Sequence, residues 1–93
     1  MIESFACTET ELVFQGNRSK KLPPNIQQTA RRKLIYLNEA QELRDLRSPP
    51  ANRLEALKGG RRGQFSIRIN QQWRICFVWN DGVVNGVEIV DYH

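Results

Sequence analysis

Histidine occurs once in this chain and cysteine twice. One imidazole and two distant thiols cannot supply the ligand spacings of a zinc site, so no metal and no other cofactor is expected. Cys7 and Cys76 form no staple pattern, and Cys76, inside an apolar run, is expected to be a small packed thiol. No stretch approaches the roughly 18 apolar residues of a membrane span, and no N-terminal apolar run resembles a signal peptide. The expectation is a cytoplasmic protein with no membrane partner. Internal repeats and low-complexity tracts are missing as well. Acid is missing from two long blocks. Between Glu11 and Glu39 lie Arg18, Lys20, Lys21, Arg31, Arg32 and Lys33 without a carboxylate. Between Glu55 and Asp81 lie Lys58, Arg61, Arg62, Arg68 and Arg74, again without one. The net charge is +4 and the pI near 9.5. A solvated surface is the ordinary meaning of one basic run. Two acid-free blocks point further, to an anionic partner.

What is present makes a single domain, residues 1–93, whose length implies a radius of gyration of about 12 Å. Gln64–Ile69 alternates polar and apolar, with Phe65, Ile67 and Ile69 on one face. Trp73–Trp79 alternates again, with Trp73, Ile75, Phe77 and Trp79 on one face. Such short period-2 runs are the mark of half-buried antiparallel strands. Asn70-Gln71-Gln72 and Asn80-Asp81-Gly82 read as the turns between strands. Met1–Cys7 reads as a brief edge strand offering Ile2 and Phe5 to the core. Thr8, with Glu11 three residues on, reads as the cap of a short helix that buries Leu12, Val13 and Phe14. Pro23-Pro24 opens a long helix whose stripe is Ile26, Ala30, Leu34, Leu37 and Gln41, with Arg31, Arg32 and Lys33 on its flanks. A short second helical stretch, Ala40–Leu46, continues this helix or follows it after a bend, until Ser48-Pro49-Pro50 breaks it. Arg53–Leu57 reads as a strand, with Leu54 and Leu57 turned inward or at its ends. The order implies an α+β domain: an N-terminal strand and helices packed on one face of an antiparallel sheet of about four to five strands.

Chemistry collects at the end of this sheet. Arg68 and Arg74 point away from the aromatic row, so the face opposite the core is expected to be cationic. Lys58–Gly63 mixes three glycines with three cations, and glycine backbone can approach phosphate closely, although a flexible turn is its commoner meaning. The chain closes with Asp91, Tyr92 and His93. On residue chemistry alone, a strand-end ion pair, a packed ring and an inert surface imidazole are the ordinary readings of that trio.

Three pieces, R-L-E-A-L-K-G (Arg53–Gly59), Q-W-R-I-C-F-V-W (Gln72–Trp79) and V-E-I-V-D-Y-H (Val87–His93), resemble the HigB/GraT-type toxins of the RelE/ParE superfamily. M-I-x-S-F at the start and E-L-R-D-L-R-S-P-P in the middle extend the likeness over most of the chain. The resemblance implies the compact RelE-like fold and the toxin of a bacterial type II toxin–antitoxin pair. It implies a ribosome-dependent endoribonuclease that cuts mRNA in the 30S A site. It also implies a HigA-like helix-turn-helix antitoxin as partner, through which alone operator DNA is met. Carried over by position, Arg74 binds the scissile phosphate, Lys58 stands near it, and Asp91, Tyr92 and His93 form the terminal active-site group. Arg61, Arg62 and Arg68 join Lys58 and Arg74 as candidate RNA contacts. Many relatives have histidine in H-P-L-K-G where this chain has Glu55, so Glu55, Lys58 and His93 share the proton-transfer candidacy. Two other readings use the same basic blocks: an RNA or ribosome binder that blocks translation without cutting, and a ParE-like gyrase inhibitor, against which the terminal D-Y-H argues.

Overall fold

The two alternating runs form the middle of the sheet. The computed structural model describes residues 1–92. Its elements are helices α1 (Thr8–Phe14) and α2 (Pro24–Glu39), strand β1 (Glu55–Ala56), and strands β2 (Phe65–Arg68), β3 (Trp73–Asn80) and β4 (Val83–Asp91). Short 3-10 turns at Leu43–Arg47, Pro50–Asn52 and Gly59–Arg61 fill the connections around β1. The four strands are antiparallel neighbours in sequence order. Asn70 makes the first turn by accepting the amides of Gln72 and Trp73 at 2.8 Å each. The second is a two-residue turn in which Asp81 (φ 53) and Gly82 (φ 85) both take the left-handed conformation, the pair that matches strand twist.

Both apolar rows fall on one face and meet α2 there. Ile26, Ala30, Leu34 and Leu37 of α2 join Ile67, Ile69, Ile75, Phe77, Val84, Val87 and Ile89 in one buried cluster. The alternation in β4 is interrupted once. Cys76 pairs with Glu88 but Val78 pairs with Asn85, so β4 carries an extra residue, and Gly86 takes φ 61 there. This bulge keeps both Val84 and Val87 in the core although three positions separate them.

Several local expectations need correction. The first residues make no continuous strand. They touch β4 at two isolated parallel bridges, Ile2 with Val84 and Phe5 with Val87, on either side of the bulge. Thr8 is the first helical residue rather than the cap; extended Cys7 precedes it and no side chain caps α1. The α2 stripe ends at Leu37, because Ala40 turns extended (φ −65, ψ 133) and leaves Gln41 exposed outside the helix. The short helical stretch follows α2 after a bend, as a 3-10 turn over Leu43–Arg47 with a capping box between Glu42 and Asp45, so only its bounds differ from Ala40–Leu46. The Arg53–Leu57 strand shrinks to Glu55–Ala56, because Arg53 is left-handed (φ 46).

Lys33 is not a flank residue. It is buried, and its Nζ donates to Asn52 Oδ1 at 2.6 Å. Asn52 Nδ2 in turn donates to the carbonyls of Leu46 and Ser48, at 3.3 Å each. One amide therefore ties α2 to the chain that leads into β1. Asn52→Ala strips all three bonds and leaves a buried ammonium unpaired, an expected loss of about 3 kcal/mol. Urea unfolding checks this, with a lower midpoint and an unchanged slope. Burial, and then Arg32, hold the Lys33 ammonium below its ordinary pKa of 10.5. Between that depressed value and 10.5 the unfolded chain binds more protons than the folded one, so Lys33 makes stability rise with pH across that window. Lys33→Met should flatten this alkaline rise in pH-dependent melts.

Candidate active site

Residues directly opposite in an antiparallel pair share a face. The register therefore puts Glu55, Ser66, Cys76 and Glu88 in one row, and Arg68, Arg74 and Val90 in the next, on the side away from the helices. Arg68 stands directly across from Arg74. Like charges so placed repel, so stability alone does not favour the pair.

Arg74 is on the expected face but is not a surface cation. It is 4% exposed. Its Nη1 donates to Glu55 Oε1 and its Nη2 to the Arg53 carbonyl, both at 2.6 Å. The left-handed turn at Arg53 lies just before β1, whose first residue is Glu55, so one short segment supplies both acceptors. Tyr92 covers the guanidinium from the end of β4, with the cation 5.3 Å from the ring centroid. The Tyr92 amide donates to the Gln72 carbonyl at 2.7 Å, which holds the ring beside the β3 turn. Among the described residues, the buried polar atoms without a hydrogen-bond partner are Arg74 Nε and Ser66 Oγ, both on this face.

The glycine-rich loop folds over the same side. Arg61 Nη1 reaches Gln64 Oε1 at 3.1 Å and Glu88 Oε1 at 3.3 Å, spanning from the 3-10 turn to β4. Beneath this bridge Cys76 is fully buried, and burial raises its thiol pKa despite the opposing influence of Arg61 and Arg74. The packed-thiol reading of Cys76 holds. The uniformly cationic face does not: Glu55 and Glu88 each neutralise an arginine on it.

The remaining candidates divide. Lys58 is exposed at the mouth of the 3-10 turn, Arg62 is exposed beside it, and Arg68 is half-buried. Asp91 pairs in register with Trp73 and so lies on the helix-side face, where its carboxylate accepts from Gln72 Nε2 at 3.1 Å. His93 lies outside the described residues. Arg53 and Ser66 are not among the residues that the sequence singles out for the site, although Arg53 opens the R-L-E-A-L-K-G segment. Among the described residues no group of histidine, cysteine, aspartate or glutamate could hold a metal ion. A cleft of about 600 Å³ beside α2, lined by Tyr36, Glu39, Ala40, Arg44, Asp45 and Ser48, contains none of the Arg74 group. It mixes both signs of charge and carries no assignment.

Helices on one face of a four-stranded antiparallel sheet, with a buried arginine on the other, define the class: a small α+β protein. A chain of the heterotetrameric YoeB-YefM toxin-antitoxin complex from Staphylococcus aureus has the same fold. It matches 100% of this chain and 95% of its own, at a TM-score of 0.61 and 19% identity. The family follows from sequence: a model described as "RelE-like toxin of type II toxin-antitoxin system HigB" matches residues 3–93, and the chain belongs to that family. It is similar to Toxin HigB-1 of Vibrio cholerae serotype O1, 47% identical over 66 residues, which are 71% of this chain and 70% of that one. It is also similar to Endoribonuclease HigB of Proteus vulgaris, 29% identical over 93 residues and the full length of both. The chain is thus the toxin of a type II pair, with an antitoxin as its partner. No helix among the described residues is long and apolar enough to cross a membrane.

Proposed function

We propose that this toxin is an endoribonuclease that cuts mRNA in the ribosomal A site and thereby arrests translation in the cytoplasm. The observation that carries the reading is Arg74, a permanently charged fork set in a protein wall, with a second arginine across from it and an aromatic ring above it. A guanidinium so placed suits a phosphodiester, whose oxygens it meets two at a time. The full-length likeness to a protein named an endoribonuclease supports the same chemistry.

The reaction is transesterification. The ribose 2′-oxygen attacks the adjacent phosphorus, the bond to the 5′-oxygen breaks, and a 2′,3′-cyclic phosphate and a 5′-hydroxyl result. Arg74 stabilises the charge that develops at phosphorus, and Lys58 and Arg68 bring further positive charge to the backbone. His93 is the proton-transfer group, since an imidazole with a pKa near 6.5 titrates at working pH. Tyr92 stacks on a base, and Asp91 ties the end of β4 to the β3 turn through Gln72. Arg61 and Arg62 meet RNA at the rim. The partner is a HigA-like helix-turn-helix antitoxin, and operator DNA is reached only through it.

Two experiments bear on this. Substituting 2′-deoxyribose on the 5′ side of the cut removes the nucleophile, and cleavage there should stop while binding persists; a cut at the deoxy position would overturn the mechanism. Tyr92→Ala loses base stacking worth about 1–3 kcal/mol, so cleavage should fall about tenfold or more in single-turnover assays, while Tyr92→Phe stays near wild type.

A further inference from the structure

We propose that Glu55 is a resident anion that holds the phosphate's place on Arg74, so that RNA binds by anion exchange and not by entry into an open site. The proposal rests on the assignment of Arg74 as the phosphate-binding group.

Both terminal nitrogens of Arg74 are engaged. Nη1 is taken by the Glu55 carboxylate and Nη2 by the Arg53 carbonyl, both at 2.6 Å, and Nε is buried without a partner. While this pair stands, Glu55 competes with any phosphate oxygen for Nη1. The two partners differ in how readily they leave. The Arg53 carbonyl is backbone. The Glu55 side chain is 48% exposed, whereas that of Arg74 is 5% exposed. Glu55 also belongs to a two-residue strand at the sheet edge, so its carboxylate can swing into water without disturbing the core.

Physical chemistry requires some anion there. An arginine this buried is costly without a counter-charge. Glu55 supplies it in the free toxin, and a phosphodiester supplies it in the complex. With Glu55 displaced, Nη1 donates to the phosphate in its place, while Nη2 keeps the Arg53 carbonyl that orients the guanidinium. The Arg68 charge across the strand pair favours the doubly anionic moment of exchange. Glu55 therefore sets affinity and acts through Arg74; it is a positioning residue, not a proton carrier.

The test titrates inorganic phosphate into isotope-labelled toxin and follows the Arg74 Nε–H resonance, in wild type, Glu55→Gln and Glu3→Gln. The probe reads Arg74 whether or not the chain cuts RNA. Failure to cut mRNA on ribosomes would sink the proposed function, while this titration judges the exchange separately. If the pair is closed about four-fifths of the time, Glu55→Gln should bind phosphate about fivefold tighter than wild type. Glu3 is exposed and lies outside the Arg74 group, so Glu3→Gln, which removes the same charge, should match wild type. Equal or weaker binding by Glu55→Gln, or an equal gain from Glu3→Gln, would overturn the proposal. Should Glu55→Gln not fold, Glu55→Asp shortens the same carboxylate, and the same direction of change is required of it.

Discussion

Arg74→Ala should lower mRNA cleavage by about 100- to 1,000-fold, the usual loss when a donor aimed at developing charge is removed. The fold should survive. The substitution takes away a buried charge together with its need for a counter-ion, leaves Glu55 free in solvent, and leaves the Arg53 carbonyl at the end of a short segment. A stability change within about 2 kcal/mol is expected from such an exchange. Arg74→Lys separates charge from geometry: a point charge without the fork should recover only part of the lost rate. Single-turnover cleavage beside thermal melts checks both halves. Wild-type cleavage by Arg74→Ala would remove it from the mechanism, and global unfolding would show that its role is structural.

Phe77→Ala should have the largest effect on stability. Phe77 heads the fully buried side chains by volume and stacks on Phe65 across the β2–β3 pair, with centroids 6.2 Å apart. Truncating a buried phenylalanine typically costs about 3–5 kcal/mol. A domain of this size has only about 5–15 kcal/mol in total, so the variant approaches the unfolding threshold. At about 4–8 °C per kcal/mol for a domain of this length, the melting temperature should drop by roughly 20 °C. Calorimetry reads it directly, and a fall of less than about 5 °C would mean that the aromatic row is not the centre of the core.

The parts of this molecule that were legible in its sequence are those whose signal is local. Alternation placed Phe65, Ile67, Ile75 and Phe77 on one face because a strand's side chains alternate whatever surrounds them. The same parity put Arg74 on the opposite face. Its burial was not legible, because that depends on Glu55, 19 residues away, and on a left-handed Arg53 that no composition rule favours. Lys33 was read as a flank for the same reason: the partner that buries it, Asn52, comes from a separate turn. The register of β4 was hidden as well, since a one-residue bulge at Gly86 changes which side chains face inward after it. Asp91 thus pairs with Trp73, one position along β3 from Arg74. Local chemistry found the face, and long-range contacts arranged it.

Whether this toxin cuts mRNA is decided by primer extension on a reporter transcript in a purified translation system. Wild type is run with and without ribosomes, beside a variant lacking His93. Cuts should require ribosomes and vanish without His93. Arrested translation over intact mRNA would contradict it, and would make the toxin a blocker that holds RNA or the ribosome without cleaving.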